Sequence, residues 1–194
     1  MSPSNRSHRT LATAVLAVVL SGCSVWQGER PIRHLDRNTG ITYRWVSQPL
    51  VLAHFQPQTA VHARDYATVV TGWVDRDGDA GYVLILYFWS TIDPRDTPRP
   101  TLRPATIVLT ADDRRIVLSA GQSPAPDAAD VPRRDRPPVA AHVVVEYPVT
   151  ASALRSLAAA DQIALREVDG QRGRRYALWN GGQKALMGLI RKEN

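Results

Sequence analysis

The stretch YVLILYFWS, Tyr82–Ser90, constrains this chain more than any other. Tyr82–Trp89 carries no charge and shows no alternation of polar with apolar residues. A strand with one wet face alternates, whereas a strand buried on both faces reads as a continuous apolar run. Its eight residues are far fewer than the roughly 20 that a membrane-spanning helix needs. The run therefore predicts a central strand, covered on both sides. Left in water it would invite aggregation. The rest of the chain has to supply two covers.

Strand signals surround it. Ile41–Val46 alternates, with Ile41, Tyr43 and Trp45 on one face, and Leu50–Phe55 is a second short candidate. Tyr66–Val74 is rich in β-branched and aromatic residues. Thr106–Thr110 and Arg115–Ser119 flank the turn-forming ADDR. Val139–Val149 is a strand ended near Pro148. Ile163–Val168 and Arg174–Trp179 read as a hairpin across DGQRG.

Two helices come late. Thr150 can cap a helix over Ala151–Ala160, with Leu154 and Leu157 on one side. Asn180 or Gly181 opens a second, whose apolar stripe is Ala185, Leu186, Leu189 and Ile190. The fold class is α+β and β-rich: an antiparallel sheet or sandwich with one or two covering helices toward the C-terminus. Residues 41–194 form a single β-rich globular domain. Its Pro-rich segments 93–104 and 121–138 cannot bury enough surface to order themselves and are expected as mobile surface loops.

Composition excludes several functions. The net charge of +6 falls to +4 without the first 22 residues, which hold Arg6 and Arg9 and no acid. The basic pairs Arg114-Arg115, Arg133-Arg134 and Arg174-Arg175 are separate, not massed into the stripe that nucleic-acid binding needs. They read as solvated loop or strand faces, and no nucleic-acid partner is expected. A single cysteine allows neither an intrachain disulfide nor a cysteine-based zinc site.

Candidate catalytic and metal residues weigh in as follows. DRDGDAG, Asp75–Gly81, spaces three carboxylates like a calcium loop. It has Ala80 where that loop needs glycine and Leu86 where it needs a bidentate glutamate, and it joins strands. A hairpin loop with Gly78 and Gly81 at positive φ explains it better. Of the histidines His34, His54, His62 and His142, none sits in a metal spacing. His62 with Asp65, or His54 with a distant acid, could pair, but the sequence selects neither. WNGGQKAL, Trp179–Leu186, lacks the phosphate-loop pattern and reads as a capping turn, in spite of Lys184. Trp73, Trp89 and Trp179 fall in strands; packing accounts for most of them, while an exposed aromatic pair on one sheet face would make a ligand platform. No catalytic, cofactor or metal residue is assigned.

The amino terminus has a different character. Met1–Thr10 is polar with two arginines, Leu11–Leu20 is apolar except for Thr13, and Ser21-Gly22 precede Cys23. A lone cysteine can be a core residue, a reactive thiol, half of an intermolecular disulfide, or a point of processing. Charge, then an oily run, then small residues is the order of a secretory signal, and it selects processing. Leu20-Ser21-Gly22-Cys23 resembles the lipobox of bacterial lipoproteins. The resemblance implies a signal peptide over residues 1–22, diacylglycerol on the sulfur of Cys23, cleavage before it and acylation, palmitate among the chains, of the new amine. Ser24 after the cysteine implies sorting to the outer membrane of a Gram-negative cell, facing the periplasm. Residues 23–40 are then the lipidated cysteine and a flexible tether reaching at most about 55 Å. The globular part resembles only small bacterial lipoproteins at large, and so implies no activity.

The expectation is a non-enzymatic, membrane-anchored envelope lipoprotein whose domain binds or scaffolds another envelope component, a protein by preference. An envelope hydrolase with dispersed Asp and His residues, and a glycan or small-ligand module, are the alternatives.

Overall fold

A computed structural model describes residues 30–37, 39–92, 103–121, 136–139, 143–168 and 173–190. The signal segment, Cys23, His142 and most of both Pro-rich segments lie outside the described residues.

The fold is one curled antiparallel sheet with two helices against its inner face. Its centre is the hairpin of β4 (Arg64–Arg76) and β5 (Asp79–Ser90), paired without interruption from Asp65↔Ser90 to Arg76↔Asp79. The turn is Asp77-Gly78, both at positive φ (55° and 90°), which suits the twist of a two-residue hairpin. Asp75 fixes it by accepting from the Gly78 N–H at 2.9 Å. Gly81, expected in the turn, lies instead inside β5 without positive φ. Every residue from Tyr82 to Ser90 is buried, as its unbroken apolar pattern requires.

On one side β5 pairs with β8 (Val143–Val149). On the other side β4 takes two partners. β2 (Thr42–Trp45) runs along Gly72–Asp75 and β3 (Leu50–Phe55) along Arg64–Val69. These two are one strand line broken at Ser47–Pro49. The break lets the sheet divide: β1 (Ile32–Leu35) continues from β2, while β10 (Arg175–Asn180) continues from β3. From β10 the order runs to β9 (Ile163–Glu167), β6 (Thr106–Ala111) and β7 (Arg114–Ser119). The curl brings the end of β7 back to β8, where the Gly121 N–H donates to the Glu146 carbonyl at 2.9 Å. Pro148 sits in β8, an edge position where its missing donor is tolerated.

β1 corrects the sequence reading. It lies within the segment expected to be a tether, because Ile32–Leu35 is extended and pairs fully with β2. Polar side chains hid a strand that needs only one half-buried residue, Ile32.

The inner face and both helices share the main core: Leu52, Ala67, Val69, Leu84, Leu86, Leu109, Tyr147 and Leu165 pack with Leu154 and Leu157 of α1 (Ala151–Ala159) and Leu186 and Leu189 of α2 (Gln183–Ile190). Thr150 caps α1, its hydroxyl accepting from the Ala153 N–H at 3.2 Å. Tyr147 donates to the Pro104 carbonyl at 2.6 Å from within this core, and burial raises its phenol pKa. A second cluster occupies the opposite face of β4 and β5, with Tyr43, Trp45, Tyr66, Val70, Ile85, Tyr87 and Trp89. Here Trp45 lies flat over Gly72, and Tyr66 stacks on Trp89 at 4.2 Å between centroids.

Gly182 enters α2 through the break in the β2–β3 line. A Cβ there would stand 2.3 Å from the Gln48 carbonyl oxygen and 2.9 Å from that of Pro49. Both are backbone atoms and cannot step aside cheaply. Gly182→Ala is expected to lower stability by about 1–3 kcal/mol. Gly81→Ala, with nothing within 4 Å of its Cβ, is expected to be neutral or mildly stabilising. Urea denaturation of the two variants checks the contrast.

Candidate functional site

Side chains alternate along a strand, so neighbouring residues in sequence serve opposite faces. Two polar assemblies result, one inside the curl and one outside.

The inner assembly sits where β3, β4, β9 and β10 end together. Asp65, 6 % exposed, receives a hydrogen bond from Gln56 and an ion pair from Arg174 at 3.1 Å. Tyr176 donates to Glu167 Oε1 at 2.8 Å. Burial first, and Glu167 second, push its phenol pKa up. Burial alone would favour the neutral Arg174, but Tyr176, Asp65 and Glu167 outweigh it and raise its pKa. His54 stands cross-strand from Asp65, yet its Nδ1 lies 2.9 Å from the Arg175 carbonyl, so that nitrogen carries the proton and donates. Its ring lies 5.8 Å from that of Tyr176.

This gathering of Asp, His, Tyr, Glu and Arg is tied together by internal bonds. Asp65 is held by a cation and an amide, Glu167 by a phenol, and His54 through Nδ1 by a main-chain oxygen. Donation through Nδ1 leaves the Nε2 of His54 as the acceptor nitrogen of the ring. The expected His62–Asp65 pair is absent among the described contacts; His62 is exposed and Asp65 serves Arg174. Asp65→Asn is expected to cost about 1–3 kcal/mol, because Arg174 loses its ion-pair partner in a half-buried position. The urea midpoint measures this.

Glu146 is the other buried acid, on the opposite face of β8 from the core residue Tyr147. It is 5 % exposed, 3.6 Å from Arg76, and its Oε2 has no hydrogen-bond partner. Burial raises its pKa, and Arg76 only partly offsets the effect. A carboxyl whose folded pKa exceeds its unfolded one favours folding when protonated. Stability is therefore expected to fall as pH rises from the ordinary glutamate range through the raised folded value. Glu146→Gln should raise the thermal midpoint at neutral pH, with the gain shrinking toward pH 4. Melting curves across that range decide it.

The outer assembly lies on the outward face of β3, β10, β9, β6 and β7. Arg175 and Arg166 are direct cross-strand partners, a like-charge pair that destabilises a sheet. With Arg115 of β7 they line a half-open groove of about 660 Å³, together with Val108, Thr110, Ala164 and Val168. None of these three arginines has an ion pair among the described residues, and all are exposed. Beside the groove, Arg64 reaches over Trp179 at 4.4 Å and Phe55 at 5.6 Å. Both rings are about half exposed, Trp179 at 57 % and Phe55 at 50 %, and Val117 and Val168 are exposed as well.

No protein-family model, curated protein or solved structure matches the chain.

The tryptophans divide. Trp89 is core, donating from Nε1 to Thr68 at 2.9 Å, and Trp73 is half-buried beneath Arg44 at 3.8 Å. Trp179 is the exposed one. Asp75–Gly81 is a hairpin turn, and no cluster of three potential metal ligands occurs among the described residues. Lys184 is exposed at the start of α2, where Gly182 is buried against the β2–β3 break.

Two of the three basic pairs split across the sheet; Arg133 and Arg134 lie outside the described residues. Arg114 turns to α1, donating to Ser156 at 2.6 Å and Ser152 at 3.2 Å, while Arg115 faces outward. Arg174 turns inward to Asp65 while Arg175 faces outward. Sequence reasoning treated each pair as a unit and so missed that one member of each joins Arg166. The available signal was the alternation R-x-V at Arg115 and Arg166, and R-x-A-x-W at Arg175.

Proposed function

We propose that this chain is a lipid-anchored protein of the bacterial cell envelope whose domain binds and positions another envelope component and is not itself an enzyme. One observation supports this above the others. The inner Asp–His–Tyr–Arg assembly is tied together by internal bonds, whereas the outer face presents arginines with no ion pair among the described residues beside two half-exposed rings. A surface of that kind contributes by contact. The lipobox-like Leu20-Ser21-Gly22-Cys23 supplies the anchor, and Ser24 favours the outer membrane, with the domain in the periplasm. The protein partner expected from the sequence has an unoccupied sheet edge to join. Among the described strands, β1 pairs only with β2, and Leu35 on it is 54 % exposed.

Two measurements test the reading. Mass spectrometry of the amino-terminal peptide should find Cys23 acylated, and Cys23→Ala should abolish the acylation and leave the signal segment uncleaved. An unmodified thiol on the full-length chain removes the anchor. Affinity purification from detergent-solubilised membranes should recover a stoichiometric envelope partner, and repeated recovery of the chain alone counts against scaffolding.

A further inference from the structure

We propose that the outward face of β10, β9, β6 and β7 is the side on which the domain rests against an anionic bilayer, with Arg115, Arg166 and Arg175 on lipid phosphates. This deepens the envelope reading and rests on it for the presence of a membrane, but not for the binding chemistry.

The first argument is electrostatic. Arg166 and Arg175 face each other across adjacent strands, about 5 Å apart at Cα. Arg115 stands on the same face two strands away, through Ala164 and Thr110. Among the described residues the groove includes one acid, Glu167, which accepts from Tyr176. Folding brings three arginines together, none of them with an ion pair among the described residues. A phosphate between the cross-strand pair would turn repulsion into charge-assisted hydrogen bonding, the geometry that guanidinium groups favour.

The second argument concerns what surrounds the charge. Here the arginines are interleaved with exposed Val117 and Val168 and flanked by Phe55 and Trp179. Arg64 lies over both of those rings, which remain about half exposed. Cations among aromatic and aliphatic groups on one sheet face suit the headgroup region, where aromatic rings are favoured and arginines meet phosphate. The groove is half open, so its arginines can be reached by phosphates of a surface.

The experiment uses the mature chain, residues 23–194, carrying Cys23→Ala and made without the signal segment, so that neither acyl chains nor the oily run Leu11–Leu20 plays a part. Co-sedimentation is measured with vesicles of phosphatidylglycerol and phosphatidylcholine, and with phosphatidylcholine alone. Binding is expected only to the anionic vesicles and is expected to weaken steeply with added salt. Each arginine should contribute roughly five-fold, so R115Q/R166Q/R175Q together should lose roughly a hundred-fold. R155Q, an exposed position on α1, should change nothing. F55A/W179A should weaken binding with little change in its salt dependence. The triple variant removes a repulsive pair, so its melting temperature should hold or rise, and unfolding would not account for its loss. Equal binding to neutral vesicles overturns the proposal, as does unchanged binding by the triple variant. Capture of polyglutamate without capture of vesicles also overturns it, in favour of an acidic protein. Acylation of Cys23 is read separately, so failure here leaves the anchor standing or falling by itself.

Discussion

The whole structure depends on a strand that cannot show either face to water. Tyr82–Ser90 is bonded along its length to β4 on one side and β8 on the other. Its inner face needs the two helices and its other face needs the ring stack around Trp45, Tyr66 and Trp89. Most other features accommodate this demand. Gly72 makes room for Trp45, the break at Ser47–Pro49 lets the sheet turn, and Gly182 lets α2 reach the break. Large apolar residues make the fold, and small ones let it close.

Polar groups obey a complementary rule. Inside the curl, acids and cations are matched to each other, as Asp65 with Arg174 and Glu167 with Tyr176. Buried polar groups must find partners, since an unmade bond costs about 1–3 kcal/mol. Outside, no such pressure acts, and arginines are left facing one another. That contrast separates the inner assembly from the outer one, although the two share residue types and even sequence neighbours. Arg174 and Arg175 are adjacent in the chain and have opposite assignments.

Much of the fold was legible in the sequence because strand and helix signals are local. The central strand, the hairpins around ADDR and DGQRG, the Thr150 cap and the α2 stripe all follow from spacing and residue type. The sheet order was not, because it depends on pairings such as β3 with β10 that no local pattern encodes. β1 was hidden since its bonds are backbone bonds and its side chains are polar. The outer arginine cluster was hidden for a related reason: Arg115, Arg166 and Arg175 come from three strands whose neighbourhood is a product of that order. The amino-terminal motif is the opposite case, a purely local signal outside the described fold.

The pairing of β3 with β10 has a consequence for how the chain is made. His54 meets the carbonyl of Arg175 across 121 residues of sequence. Such distant contacts slow the search for the native arrangement, because ordering is lost before bonding rewards it. The apolar heart of the molecule is thus complete long before its last cover exists. During that interval its apolar strands are exposed to aggregation.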